Sequence, residues 1–327
     1  MQAVAVQIRP FETRDYDAVA ALNNVNFPEF TSSADEIRYD DEHRPAHCRW
    51  ARWIAECDER VVGGAQYEQY AGAYNPRKFS IQITVDPTLH NRGIGGRLYA
   101  ALIDALREFD PISMNAMSRE DMFCRVAFLQ HRGFREEQRD WSSELDLDSF
   151  DATPFRKYVD SMRSKGFVVR TLADLLANQE LDERELFDLW VEVQDDVPSP
   201  PSMDRTRRTF EDWRTRNLEH VSLFPEAYFI ALDGTRYVGT TQMWRAPEKE
   251  CLRTGLTGVR RAYRGRGIAF ALKVVALEFA KQRGYGRVDT ENESRNVGML
   301  SINERLGFVK RPAWVHYVAE WSAASRA

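Results

Sequence analysis

At 327 residues the chain is long enough for two domains of ordinary size. Hydrophobic residues make up 43% and charged residues 29%, and 18 Gly with 13 Pro leave no room for fibrous or low-complexity structure. With 45 Lys and Arg against 50 Asp and Glu the net charge is −5, which excludes a protein whose affinity comes from nucleic-acid phosphates.

In chain order, Met1-Gln2-Ala3-Val4-Ala5-Val6 lacks the basic-then-apolar pattern of a leader and opens a first strand, around Val4 to Arg9. No later run reaches the ~18 apolar residues of a membrane span. A soluble, cytoplasmic protein with no membrane or nucleic-acid partner is expected, as a monomer or homodimer. His43, His47, Cys48 and Cys57 form the one cluster with a metal-site look, but Pro45 breaks the helix that would align the histidines, and no metal is expected. The four cysteines are too scattered for a disulfide framework.

Trp53-Ile54-Ala55 turns at Asp58-Glu59 into Val61-Val62 as a hairpin. The next strand ends at Val85, a glycine turn opens a helix, and Ile112 to Met117 makes a further strand. Phe155 to Gly166 reads as a helical connector, which divides the chain into 1–150 and 151–327. The same order then returns: a strand at Phe167 to Thr171, a helix carrying Leu186, Leu189, Trp190 and Val193, and a hairpin through Asp233-Gly234. A strand ending at Val259, a second glycine turn, a helix with Ile268, Leu272, Val275 and Phe279, and a strand from Val288 to Asn292 complete it.

This is an internal repeat. Arg92-Gly93-Ile94-Gly95 and Arg266-Gly267-Ile268-Ala269 are displaced by 174 positions, as are Val85 and Val259, Leu98 and Leu272, and the Gly-Phe pairs at 133 and 307. Val62-Gly63 matches Val238-Gly239 at 176 and Ile8-Arg9 matches Val169-Arg170 at 161, so the second copy carries about fifteen extra residues between its first two strands. That stretch includes Asp195 to Pro201 and reads either as a surface loop or as part of a substrate mouth.

The turn Arg264-Gly265-Arg266-Gly267-Ile268-Ala269 lies between strand and helix, where free N–H groups and the helix dipole favour an anion. Arg260, Arg261, Arg264 and Arg266 gather four cations there, which points to a polyanionic ligand. Neither copy has the Gly-Lys-Ser/Thr of a Walker loop.

At these residues the chain resembles the GNAT acyltransferase superfamily, whose Arg/Gln-x-x-Gly-x-Gly/Ala signature is met by Arg264, Gly267 and Ala269. Thr290-Glu291-Asn292, Asn296, Met299, Asn303 and Leu306-Gly307-Phe308 resemble the later half of the same pattern. The layout is similar to that of mycothiol synthase and its relatives. The resemblance implies an α/β (α+β) fold of two tandem GNAT-like modules, each a mixed, mostly antiparallel sheet flanked by helices. It implies acetyl-CoA as cosubstrate, its pyrophosphate on the turn from Arg264 to Ala269, and its pantetheine arm between splayed fourth and fifth strands near Asn296. Backbone N–H groups around Gly258 and Val259 would meet the oxyanion. In the first copy the cofactor positions are Val85, Arg92, Gly93, Gly95 and Gly96. There His90 replaces the signature arginine, and Met122 and Leu129 stand for Asn296 and Asn303, so catalysis is expected in the second copy and the first is expected to be degenerate.

Acyl transfer to an amine needs a base, an oxyanion site and an outlet for the thiolate. Glu291 and Asp289 alternate with Thr290 and Asn292 on one strand, and either pair could face the cleft. Asn303 occupies a position where many members of the superfamily have an acid tyrosine. Tyr263 and Tyr317 are substitutes by residue type, and the thiolate could also leave unassisted. Glu291, Asn303 and Tyr317 are thus the catalytic candidates for acetyl transfer to a small-molecule amine. The alternatives are a non-catalytic CoA-binding regulator and a mycothiol-synthase-like enzyme.

Overall fold

The structure, a computed structural model, describes residues 6–28, 31–246 and 250–321. Val4 and Ala5 of the expected first strand lie outside them. The chain forms two compact units, Met1–Arg139 with Ser199–Arg208 and Ala313–Ala327, and Asp140–Pro198 with Thr209–Pro312.

From the N-terminus come β1 (Gln7–Pro10), α1 (Tyr16–Asn26), α2 (Ala34–Glu42), β2 (Trp50–Cys57), β3 (Arg60–Glu68), β4 (Lys78–Val85), α3 (Ile94–Leu106), β5 (Ser113–Arg119), α4 (Phe123–Gln130) and β6 (Arg135–Asp146). There follow α5 (Arg156–Ser164), β7 (Phe167–Thr171), α6 (Leu172–Ala177), α7 (Glu183–Gln194), α8 (Phe210–Leu218), β8 (Tyr228–Asp233) and β9 (Arg236–Arg245). The chain continues through β10 (Cys251–Val259), α9 (Ile268–Gln282), β11 (Arg287–Glu293), α10 (Val297–Leu306), β12 (Val309–Lys310) and β13 (Trp314–Glu320).

In the first unit β1 to β4 form an antiparallel meander, β5 joins β4 in parallel, and β13 pairs antiparallel with β5. In the second unit β7 to β10 repeat the meander, β11 joins β10 in parallel, and the later half of β6 pairs antiparallel with β11. The two copies have therefore exchanged their last strands, and the units differ from the contiguous halves 1–150 and 151–327. The extra residues of the second copy divide, with Asp196 and Val197 lining the second unit's cleft. Ser199–Arg208 belongs to the first unit.

The repeated landmarks have packing reasons. The start of α3 or α9 must lie close against the third strand of its meander. A Cβ at Gly63 would come within 3.0 Å of Leu98, and one at Gly239 within 3.2 Å of Ile268. Along α3, Ile94, Leu98, Leu102 and Leu106 recur every fourth residue and are all buried against the sheet, at roughly 1.5–3 kcal/mol per side chain. Opposite faces of the second unit's sheet carry separate cores, one around Leu272, Leu277 and Val288, the other around Leu189, Trp213 and Ile230.

Two features position a site. β4 and β5 pair only over Lys78–Ser80 and Ser113–Asn115, and β10 and β11 only over Cys251–Arg253 and Arg287–Asp289, after which each pair separates. Of the two strands that lead into the glycine turns, β10 slips in its pairing with the preceding strand between Thr254 and Thr257, so that Gly255 and Leu256 oppose Gln242 as a bulge, whereas β4 keeps a regular register.

Candidate functional site

The glycine turns share one backbone path. Gly265 and Gly267 have φ of 73° and 84°, and Asn91 and Gly93 have 60° and 82°, the left-handed region that glycine, and next asparagine, enters most easily. Ala271 N–H bonds to Gly267 C=O and Arg97 N–H to Gly93 C=O, which leaves the preceding N–H groups of each helix, at Ile268, Ala269 and Phe270 or Ile94, Gly95 and Gly96, pointing out as an anion cradle. Arg264 Nε donates to Val259 C=O at 3.3 Å, and His90 Nε2 lies 3.1 Å from Val85 C=O. The signature arginine ties the turn to the strand it leaves, and His90 makes the same tie.

The arginine cluster is less free than its sequence spacing implies. Arg260 is buried and paired with Glu185 and Glu192 at 3.0 and 2.9 Å, while Asp196 holds both Arg261 and Arg264. Arg266, stacked 5.0 Å from the Tyr263 ring centroid, has no carboxylate partner among the described residues. The cradle's attraction for phosphate therefore rests mainly on backbone N–H groups.

Behind each turn is a cleft, of about 690 Å³ in the first unit and about 500 Å³ in the second. The second is walled by Thr257, Gly258 and Val259 on one side and Asn296, Met299 and Ile302 on the other. Asn296 caps α10 through its side chain, accepting from Met299 N–H at 3.3 Å. Because Arg260 N–H bonds to Val238 C=O, antiparallel alternation turns Thr257 and Val259 toward the open edge and Gly258 toward β9. The N–H of Gly258 thus faces β9, and the groups at the open edge are those of Thr257 and Val259. Gly258 is glycine because Val193 of α7 fills the space a Cβ would need.

In the first unit side chains bridge and border the gap. Arg125 of α4 spans the separated strands, donating from Nη1 to Ile83 C=O at 2.7 Å and from Nε to Met117 C=O at 3.1 Å. At the displacement of 174 the second copy has Met299, which spans nothing. Beside Asn115 of β5, Ser202 packs from the inserted stretch, its hydroxyl 2.8 Å from Asn115 Oδ1 and its N–H 2.8 Å from Glu137. Lys78 Nζ donates to Ser202 C=O at 2.8 Å, and Asn75 to Asp204 at 2.7 Å.

In the second unit the gap is flanked by charge. Thr290 is buried on the α10 side of β11 and Asn292 bonds to Asn303 there, so Asp289 and Glu291 face the other way. Glu291 is reachable by solvent yet set within surrounding protein. That desolvation, with the Asp140 and Asp289 charges and against Arg253, pushes its carboxyl up to about 8. Asn303 is 2% exposed and joins Lys273, also 2% exposed, to Asn292: Lys273 Nζ donates to Asn303 Oδ1 at 2.6 Å and Asn303 Nδ2 to Asn292 Oδ1 at 2.5 Å. Burial pushes the Lys273 amine down to about 7.

Tyr317 does not join them. It sits on β13 opposite Ala116 in the core of the first unit, because the last strands are exchanged. Tyr263 donates to Asp233 at 3.0 Å on the outside of the turn. Of the metal-like cluster, His43 is bound to Tyr39 C=O at the end of α2 and His47 packs on Tyr74. The roles of Arg125, Lys273 and Asp196 are not legible in the sequence, although a lysine inside the apolar run Phe270 to Val275 is a visible anomaly.

Lys273 carries a testable cost. Its amine is protonated up to about 10 when unfolded but only to about 7 when folded, so the unfolded state binds the extra proton and stability rises with pH across that window, by up to about 1.4 kcal/mol per unit. Lys273→Met is expected to raise Tm near pH 7 and to lose that advantage toward pH 10, as thermal denaturation across that range would record. An unchanged Tm difference would mean that the lysine is charged in the fold.

The acetyltransferase (GNAT) family model matches residues 16–134 and again 184–308. N-alpha-acetyltransferase 30 of Schizosaccharomyces pombe is 30% identical over 109 residues, covering 32% of this chain and 73% of that protein. N-alpha-acetyltransferase MAK3 of Arabidopsis thaliana is 32% identical over 99 residues, covering 30% of this chain and 52% of that protein. Among solved structures, a tandem GNAT protein from the clavulanic acid biosynthesis pathway matches with a TM-score of 0.72 at 18% identity, over 97% of this chain and 99% of that one. A GCN5-related N-acetyltransferase from Sphaerobacter thermophilus matches with a TM-score of 0.67 at 20% identity, over 96% and 95%. Among the described residues no helix is long and apolar enough to cross a membrane.

Proposed function

This chain belongs to the GNAT family of acetyltransferases, and we propose that its second module alone performs the transfer, from acetyl-CoA to the amine of a small molecule. One contrast carries the reading: the gap between β10 and β11 is open with Glu291 beside it, whereas Arg125 closes the gap between β4 and β5. Acetyl-CoA supplies the thioester-activated acetyl group. The chain's own residues fit it: three outward N–H groups at the start of α9 suit a pyrophosphate, and the edge groups of Thr257 and Val259 suit a pantetheine arm and a developing oxyanion. Glu291 takes the proton of the attacking amine. A carboxyl whose pKa lies near the working pH accepts a proton more readily than an ordinary glutamate.

The charged surroundings of Glu291, with Asp140, Asp289 and Arg253, suit a compact charged amine. A second reading, the α-amino group of a polypeptide, is favoured by the N-alpha-acetyltransferase relatives. Thiol release from acetyl-CoA, measured with a panel of small amines and with peptides bearing free N-termini, tests both. Turnover with peptides alone would replace the first reading by the second, and turnover with neither would overturn both.

The raised carboxyl also sets a pH dependence. Activity requires ionised Glu291, so kcat/KM is expected to climb with pH up to about 8 and then level, apart from any limb set by the acceptor's own ammonium group. In Glu291→Gln the limb near 8 should vanish while the acceptor's limb stays. Identical profiles for the two proteins would exclude Glu291 as the titrating base.

A further inference from the structure

We propose that Asn292 is a hydrogen-bond donor to the departing sulfur, aimed by Lys273 through Asn303. The inference rests on acetyl transfer in the second module. Its starting point is a lysine in the core of an apolar helix, with Asn303 as its hydrogen-bond partner at 2.6 Å. A buried amine is a large penalty for a fold to keep, and replacing such a group by an apolar one is often stabilising.

The chain of bonds has one direction. Lys273 Nζ donates to Asn303 Oδ1, so Asn303 turns its oxygen to Lys273 and its NH2 to Asn292. Asn292 must then present its oxygen to Asn303, and its own NH2 group is left without a protein partner among the described residues. Amide ends are hard to tell apart by shape alone, and the N–H that Lys273 donates favours this orientation of both. Without it each asparagine could flip, and Asn292 would show an oxygen about as readily as an N–H.

Placement gives that N–H a use. Asn292 lies on β11 beyond Asp289, where the strand has parted from β10. It is on the face of β11 turned to α10, and Glu291 is on the opposite face. A thioester passing between the parted strands thus has a base on one side and a donor on the other. The amine lone pair forms the new C–N bond, the C–S pair leaves on sulfur, and the amine proton goes to Glu291. The thiolate is met by the Asn292 N–H and later takes a proton from water.

Two variants separate this role from a structural one. Asn303→Asp accepts from both neighbours, so Asn292 must turn its NH2 inward and its oxygen toward the sulfur. This variant is expected to fold with unchanged or higher Tm, to keep the acetyl-CoA KM within about twofold, and to lose about 100-fold in kcat, as for removal of one donor to a developing anion. Lys273→Met, which frees both amides without inverting them, is expected to lose about tenfold with KM unchanged. If wild type turns over and both variants keep kcat within twofold, or lose KM and Tm together with kcat, the inference is overturned. Absence of turnover in wild type would instead overturn the assignment of activity.

Discussion

Gly267→Glu is expected to abolish acetyl-CoA turnover, while Gly93→Glu at the matching position of the first module leaves most of it. Both glycines have φ near +83° and open space around a would-be Cβ, so the two substitutions impose the same backbone strain, roughly 1–2 kcal/mol. What differs is the use of the cradle. A carboxylate at 267 repels phosphate and displaces the N–H groups that would bind it. Hydrogen bonds to charged groups contribute about 1.5–3 kcal/mol each, so losing two lowers CoA affinity by ~100-fold or more. Titration calorimetry beside the turnover assay measures this, and Gly267→Ala, which carries the strain without the charge, controls for folding. Activity that survives Gly267→Glu and disappears in Gly93→Glu would put the active centre in the other half of the molecule.

Glu291→Gln is expected to lower kcat by about 10²–10⁴, the range for removing a general base, with the KM of acetyl-CoA unchanged. Glutamine keeps the shape and removes only the proton acceptor. Since the folded carboxyl sits well above its ordinary pKa, the ionised form weakens the fold as pH rises from about 5 through about 8, and the amide should be more stable than wild type at pH 9. A loss of kcat with a gain in alkaline stability is a combination that unfolding cannot mimic. Asp289→Asn is the comparison, because Asp289 shares the face but is engaged by Arg287 at 2.9 Å and by the Cys251 thiol at 3.3 Å. If kcat in Glu291→Gln stays within a few-fold of wild type, the base is elsewhere.

How far the sequence reached follows from the range of the interactions involved. The repeat, both hairpins, the two glycine turns and the helix starting at Ile268 are local, and Asp58 and Glu59, with φ of 49° and 61°, make the two-residue turn their position predicts. The exchange of β6 and β13 was not legible. A strand's pattern of alternation tells which of its faces is buried and says nothing of which neighbour it pairs with. Tyr317 was misplaced for that reason alone. His90 lacks the permanent charge of arginine, yet the tie it makes to Val85 depends on an N–H, which both histidine and arginine supply. Arg125 is not legible because an arginine on a short helix is ordinary, and what it does depends on two carbonyls 42 and 8 residues away. The four clustered arginines misled in the opposite sense, because their partners Glu185, Glu192 and Asp196 lie far upstream.

The placement of β13 also fixes an order of events during synthesis. The edge of β5 is complete only when residues near 313–320 have been made, 174 or more positions after β6 leaves unit 1 at Arg139. At about 5–20 residues per second, the ribosome takes on the order of ten to thirty seconds to supply them. During that interval the nascent first module has a mostly antiparallel sheet with one bare strand edge at β5, the kind of surface that recruits other chains. Its closure therefore waits for β13, and the second module, whose own missing strand β6 has already emerged, can finish first although it is made later.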